Sequence, residues 1–267
     1  MSEAAPDEIA ATLTLADWRR QIGSLYADVR RIAATDPGAA LDHWRATRER
    51  LYREHPQSPV PADRRANFRA AHFDHDPALS FELAVEPLDE APRPGDPQPS
   101  GEPQPGLPSL AIDFGSGSGP ATGVAADSEP APATAPGGGR PIPATLFVDL
   151  PVSAGGVMAF RRFGAVTIPF AAGPRRLEVY WMEGYAGGLF LPFRDATNGT
   201  ATYGAGRYLL DAAKSADLGG DRAAGSLVLD FNFAFQPSCA FDPKWACPLA
   251  PPANRLDIPV RAGERLG

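Results

Sequence analysis

A proline- and glycine-rich segment, residues 87–143, interrupts the chain and separates two differently patterned parts. It contains 14 Pro and 10 Gly among 57 residues, with no Trp or Tyr. Such a composition cannot bury enough apolar surface to offset the entropy of ordering the backbone. We therefore predict a disordered insertion over 87–143. We predict three further regions: a flexible N-terminus (1–13), a helical region with an arm and a first strand (14–86), and an antiparallel β domain (144–265).

The residues before the insertion have the spacing of two amphipathic helices. Apolar side chains recur three or four residues apart over Asp17–Ala34, which predicts the first helix. Asp36 followed by Pro37 is typical of a second helix start, and the sequence His55-Pro56 ends it. The short connection between them predicts an antiparallel helix pair that packs on the β domain. An irregular arm, residues 57–77, follows the pair.

Alternation with a period of two dominates the rest of the chain and indicates β-strands. Short strands separated by Gly, Pro and Asp are typical of antiparallel sheets. We therefore predict a mainly β fold with an N-terminal helical pair (α+β), built as an antiparallel β-sandwich or partly open barrel. The predicted strands are Leu79–Glu86, Thr145–Leu150, Val157–Phe163, Ala165–Phe170, Leu177–Glu183, Gly187–Phe193, Gly206–Asp211, Ser226–Phe235 and Leu256–Arg261.

Charge and hydropathy exclude several classes of protein. The net charge of -7 argues against a nucleic-acid binder, because binding phosphates needs a basic face. No apolar run approaches the roughly 20 residues of a membrane span, and the acidic N-terminus does not resemble a signal peptide. We expect a cytoplasmic protein with no membrane partner. We also expect no cofactor and no metal, reading the His and Asp residues of 72–76 as a polar turn. The sequence leaves the oligomeric state open.

Polar residues among the aromatic strands form the candidate ligand site. Asp230 and Asn232 fall on one face of the predicted strand Ser226–Phe235, where buried polar groups need partners. Arg194 and Arg207, on either side of an Asn-Gly turn, are the expected partners. The candidate ligand-binding residues are Arg194, Asp195, Tyr203, Arg207, Asp230 and Asn232.

These residues are compatible with three kinds of function. Two arginines near aromatic side chains suit a small ligand with a carboxylate or phosphate group. A hydrolase would use Asp195 or Asp230 as general base, although no nucleophile motif supports it. In a structural or interaction module, the same residues would form a buried polar network that stabilises the fold.

The two cysteines, Cys239 and Cys247, lie eight positions apart in a proline-rich loop. They allow three interpretations: reduced structural thiols, a local disulfide, or a metal or nucleophilic role. All four histidines lie before residue 76, so a zinc site would need a distant partner.

Several long motifs identify a family. They are F-R-D-A-T-N-G-T-A-T-Y-G-A-G-R-Y-L, L-D-F-N-F-A-F, P-S-C-A-F and A-C-P-L-A-P-P-A-N-R-L. Over about residues 155–265 the chain resembles the bacterial "domain of unknown function 1684" family. The helix pair resembles the start of family members at Trp44–Pro59, whereas the insertion has no counterpart there. Gln236 departs from the family pattern, which often has Asn. The resemblance implies no activity.

Overall fold

The computed structural model describes residues 6–88, 142–184 and 187–267. Most of the predicted disordered insertion, residues 89–141, lies outside the described residues. The α-helices are α1 (Pro6–Ala33), α2 (Pro37–Glu54) and the single turn α3 (Ala62–Arg65). The strands are β1 (Ala71–His72), β2 (Ser80–Ala84), β3 (Phe147–Pro151), β4 (Val157–Ile168), β5 (Arg175–Met182), β6 (Gly188–Phe193), β7 (Arg207–Asp211), β8 (Ser226–Asp230) and β9 (Glu264–Arg265).

The first two helices follow the periodicity of the sequence. The apolar stripe of α1 is buried, including Leu25 and Val29. The Asp36 side chain accepts a hydrogen bond of 2.9 Å from the backbone N–H of Ala39 and so caps the start of α2. However, α1 begins at Pro6, not Asp17: its first turns, which include Ile9 and Leu13, are exposed and extend beyond the buried stripe. No helix within the described ranges has the length and apolar character needed to cross a bilayer.

The strands form antiparallel sheets, which confirms the predicted fold class. The largest has five strands in the order β3-β4-β5-β6-β7. β2 pairs with β8, and β1 pairs with β9, so residues on both sides of the insertion share sheets. In the described residues the five-stranded sheet stays open at β3 and β7 and does not close into a barrel. The domain boundaries chosen from the sequence stay a prediction.

The five-stranded sheet is the middle of three layers. On one face, Phe160, Phe190 and Tyr208 pack against the buried stripes of α1 and α2. On the other face, Val179 and Leu209 belong to a second core shared with β2, β8 and residues 256–262. The helix pair and the β2–β8 ribbon therefore cover opposite faces of the sheet, and each covers an apolar surface that would otherwise be exposed to water.

Several predicted strands differ from the structure. The strands expected over Val157–Phe163 and Ala165–Phe170 are one strand, β4, whose register with β5 shifts between Arg162 and Gly164. The strand expected over Ser226–Phe235 ends at Asp230, because the Asp230 side chain accepts a 2.8 Å hydrogen bond from the Asn232 N–H and starts a 3₁₀ turn over Phe231–Phe233. Residues 256–261 form no strand: the Val260 carbonyl accepts from a buried arginine described below, and the Ile258 carbonyl accepts from the Ala196 N–H. Alternation alone does not distinguish an apolar strand from an apolar loop with the same spacing.

Candidate functional site

Arg207 is fully buried and holds the C-terminal segment against the sheet. Its Nη2 donates to Asp195 Oδ2 at 3.2 Å and to the Val260 carbonyl at 2.8 Å. Its Nη1 donates to the carbonyls of Ala262 and Glu264. Burial lowers the pKa of Arg207 to about 10 although Asp195 favours the charged form, so the guanidinium stays protonated at neutral pH.

Asp195 completes this buried network. Its Oδ2 accepts from the Val260 N–H at 2.7 Å as well as from Arg207, and its Oδ1 accepts from the Thr197 hydroxyl at 2.7 Å. The Asp195 side chain has 0% exposure. A general base must reach its substrate, so this arrangement supports the structural interpretation of Asp195 over the hydrolytic one.

Asp230 and Asn232 lie elsewhere, where β2 begins. Asn232 Nδ2 donates to Asp230 Oδ1 and to the Asp76 carbonyl, both at 2.8 Å. Asn232 Oδ1 accepts from the Asp76 N–H at 2.9 Å. The amide thus ties the end of the arm to β8. Burial raises the pKa of Asp230, and its hydrogen bonds to Asn232 oppose that shift.

The expected pairing of two arginines with Asp230 and Asn232 is not formed. Arg207 pairs with Asp195, while Arg194, half-buried, donates to the Gly204 carbonyl at 2.8 Å. The physical reason is that Asp230 and Asn232 form hydrogen bonds with each other and with the backbone of Asp76. Whether any of these residues binds a ligand stays a prediction.

Tyr203, the remaining candidate, lies beside the two cysteines. Both cysteines are buried free thiols, and the Cys239 N–H donates to Cys247 Sγ at 3.3 Å. Burial raises the pKa of Tyr203 to about 12, and the neighbouring Cys239 sulfur contributes to that rise. A hydroxyl and two thiols therefore form a small cluster separate from the Arg207 network.

The His and Asp residues at the end of the arm do not assemble into a ligand set. The His72 ring packs edge-on against Trp44 at 5.8 Å between centroids, and burial lowers the pKa of His72. Asp76 Oδ1 accepts from the Ala78 N–H at 2.9 Å and caps a short turn. Across the ranges 6–88, 142–184 and 187–267, no three His, Cys, Asp or Glu side chains are grouped closely enough to share a metal ion.

A cavity of about 450 Å³ lies between the arm and the β domain, at a place that no sequence pattern indicated. We call it the arm cavity. Its lining includes three aromatic and three cationic side chains from the helix pair, the arm, the loop after residue 235 and β9. They are Tyr52, Phe68, Phe241, Arg64, Arg69 and Arg265. The rings of Tyr52, Phe68 and Phe241 pack on each other, with centroids 5.2 to 5.8 Å apart.

A buried charged group stabilises the base of the arm cavity. Arg48 Nε donates to Glu264 Oε1 at 2.8 Å, and Arg48 Nη2 donates to the Tyr52 hydroxyl. Glu264 Oε2 accepts from the Gln236 N–H at 2.9 Å. The guanidinium lies 4.8 Å from the centroid of the Phe235 ring. Burial acts to lower the pKa of Arg48, but Glu264, Tyr52 and Tyr26 together raise that pKa above the ordinary range.

The charge around the arm cavity is positive. Arg64, Arg69 and Arg265 are exposed at its rim. Two carboxylates also line it: Asp63, and Glu264, which is paired with Arg48. The lining therefore has more cationic than anionic side chains, whereas the whole chain has a net charge of -7. Periodicity could not reveal the cavity, because its walls come from four segments far apart in sequence.

Comparison with known proteins gives a family and a similar solved structure. Residues 137–265 match the family described as "Protein of unknown function (DUF1684)". The chain is also similar to an uncharacterized protein of Haloarcula marismortui whose solution NMR structure is known. The two share 25% identity with a TM-score of 0.48, over 85% of this chain and 93% of that chain. No curated protein matches the chain.

Proposed function

We propose that this chain, which belongs to the DUF1684 family through residues 137–265, binds a small anionic molecule in the arm cavity. The family resemblance drawn from the sequence motifs is confirmed, and its description states no activity. The proposed ligand class is the one expected from the sequence. The proposed binding site differs from the expected one: it is the arm cavity, and not the residues around Arg207 and Asp230.

The observation that carries the proposal is the combination of aromatic walls with a cationic rim. Ligand cavities in proteins usually have volumes of about 300–1,000 Å³ and apolar walls with a few polar groups. The arm cavity, at about 450 Å³, lies within that range. The rings of Tyr52, Phe68 and Phe241 offer flat apolar surface, and guanidinium groups bind carboxylates and phosphates well. We therefore propose a ligand with an aromatic or apolar body and one anionic group.

The rim arginines differ in their availability. Arg64 donates to the Phe241 carbonyl and holds that wall in place. Arg265 donates to the His72 carbonyl at 3.1 Å. Arg69 Nη1 donates to the carbonyl of its neighbour Phe68 at 2.8 Å, its Nε lies 4.0 Å from Glu49 Oε1, and 64% of its side chain is exposed. Because that hydrogen bond joins adjacent residues, a ligand can engage Arg69 without releasing a distant segment of the chain.

The experiment is calorimetric titration of the full chain with four probes that share one ring. Benzoate and phenyl phosphate carry the anion, benzamide is neutral and benzylamine is cationic. We expect the two anions to bind and the other two to bind at least tenfold more weakly. Replacing Arg69 with Gln should weaken anion binding roughly 10- to 100-fold, as expected for a lost hydrogen bond to a charged group of about 1.5–3 kcal/mol.

The matched control is Arg31→Gln on α1. Arg31 is 71% exposed and pairs with Asp28, so this change removes the same charge from an equally exposed helix surface away from the arm cavity. We expect affinity within twofold of the wild type. Equal weakening by both substitutions would show a general charge effect, and binding of benzylamine as tightly as benzoate would contradict the proposal.

A further inference from the structure

The two thiols connect a fixed strand end to a wall of the arm cavity. Cys247 is held at the end of β3: its N–H donates to Ser153 Oγ at 3.0 Å, and its carbonyl accepts from the Ser153 N–H at 2.9 Å. Cys239 lies in the 3₁₀ turn Ser238–Ala240. The first residue after this turn is Phe241, which lines the arm cavity. A change between the two sulfurs therefore acts directly on that wall.

The two cysteines already contact each other through the backbone of one and the thiol of the other. The backbone N–H of Cys239 donates to Cys247 Sγ at 3.3 Å, and both residues are almost fully buried, at 5% and 3% exposure. They are the only cysteines in the sequence. Eight positions of chain separate them, enough to close a disulfide loop without breaking the strand that holds Cys247.

The surroundings distinguish the chemical roles of the two sulfurs. The Cys247 thiol donates to Cys239, and the hydroxyls of Ser153 and Tyr203 add to this effect, which lowers the pKa of Cys239 to about 6. The pKa of Cys247 is raised, because its hydrogen is engaged by Cys239 and because it is buried. The thiolate is the nucleophile of cysteine chemistry, so Cys239 is the sulfur that reacts first.

We infer that Cys239 and Cys247 form a reversible disulfide on oxidation by hydrogen peroxide, and that this bond reshapes the arm cavity. The Cys239 thiolate attacks one peroxide oxygen, the O–O bond breaks, and hydroxide leaves to become water. The Cys247 sulfur then attacks the Cys239 sulfenic acid, the S–S bond forms, and a second water leaves. Two thiols thus give two electrons to one peroxide. A dithiol reductant reverses the reaction.

The disulfide affects the arm cavity because it shortens the distance between the two sulfurs. A disulfide brings the two sulfurs to about 2.0 Å, closer than hydrogen-bonded thiols. Because Cys247 is held by β3, the turn that carries Cys239 is the part that moves. Phe241 moves with it, and so does Arg64, which donates to the Phe241 carbonyl. This second half of the inference rests on the proposed function.

The test begins with the bond itself. The reduced full chain is treated with one equivalent of hydrogen peroxide, quenched with an alkylating agent and analysed as intact protein. We expect a mass loss of about 2 Da and a fall from two alkylated thiols to none, with monomeric mobility on a non-reducing gel. Cys247→Ser should stop at a sulfenic acid that a dimedone probe captures. Two persisting thiols, a disulfide between chains, or a sulfinic acid in place of the disulfide would overturn the inference.

The coupling is measured separately with the reduced and oxidised forms. Benzoate and phenyl phosphate are titrated into each, and we expect at least a threefold change in affinity that a dithiol restores. Equal affinities would overturn the coupling. If neither form binds either probe while the disulfide forms, the proposed function fails and the redox site stands. The reduced Cys247→Ser variant should bind like the reduced wild type.

Discussion

Replacing Arg207 with leucine tests whether the buried arginine network holds the β domain together. The substitution places a shorter, apolar side chain beside Phe193 and Phe73, whose ring centroids lie 5.1 and 5.8 Å from the guanidinium carbon. It removes the ion pair with Asp195 and the donors to three backbone carbonyls. The Asp195 carboxylate then stays buried without its cation.

The expected loss of stability in Arg207→Leu follows from these contacts. Breaking a buried ion pair by removing one partner typically costs about 3–5 kcal/mol. The three carbonyls that lose donors add to this, so we expect Arg207→Leu to lower the free energy of unfolding by at least about 3–5 kcal/mol. For a domain of this size, roughly 2–4 °C accompanies each kcal/mol, which corresponds to a drop in Tm of about 6–20 °C.

The assay is urea unfolding followed by circular dichroism, with Arg194→Leu as the matched control. Arg194 begins the loop that leads from β6 to Arg207, and its side chain donates to the Gly204 carbonyl, so its loss should cost no more than about 1 kcal/mol. Adding Asp195→Asn to Arg207→Leu should restore about 0.5–3 kcal/mol by removing the stranded charge. An Arg207→Leu protein within 1 kcal/mol of the wild type would refute the reasoning.

Two further predictions concern the other buried polar groups. Asn232→Ala leaves the Asp76 N–H without its partner and removes one donor from the Asp76 carbonyl, which keeps its hydrogen bond from the Leu79 N–H, so we expect a loss of about 1–3 kcal/mol in urea unfolding; a loss below about 0.5 kcal/mol would contradict it. Burial raises the pKa of Tyr26 to about 12, whereas the unfolded chain has a pKa of about 10. The unfolded state therefore loses the proton first, and stability falls as pH rises from about 10 to 12. Tyr26→Phe should reduce that slope by up to about 1.4 kcal/mol per pH unit, and an unchanged slope in urea unfolding between these pH values would refute the shift.

Local signals in the sequence were sufficient for the helix pair and most of the sheet. The stripe of α1 and the Asp36 cap of α2 are properties of neighbouring residues, and the structure has both. The alternation of β5 likewise divides its side chains, with Val179 and Tyr180 facing different cores. Such elements are predictable because one chain segment carries the whole pattern.

The candidate site was less predictable because its bonds join distant segments. The partners of Arg207 include carbonyls more than 50 positions away. Because every residue has a backbone carbonyl, the sequence does not indicate which of them accept a hydrogen bond. The early end of β8 depends on one Asp230 hydrogen bond that competes with strand pairing. The arm cavity needs Tyr52, Phe68 and Phe241 to meet, which neither periodicity nor motif spacing indicates.

The buried arginines have a consequence for synthesis on the ribosome. Arg48 and Arg207 obtain several of their partners from Val260, Ala262 and Glu264, which are translated after α1, α2 and the five-stranded sheet. Until those residues emerge, the nascent chain contains two guanidinium groups that cannot be desolvated without a large energetic penalty. We therefore expect native closure of both cores to occur after translation of residue 264, and not progressively from the N-terminus.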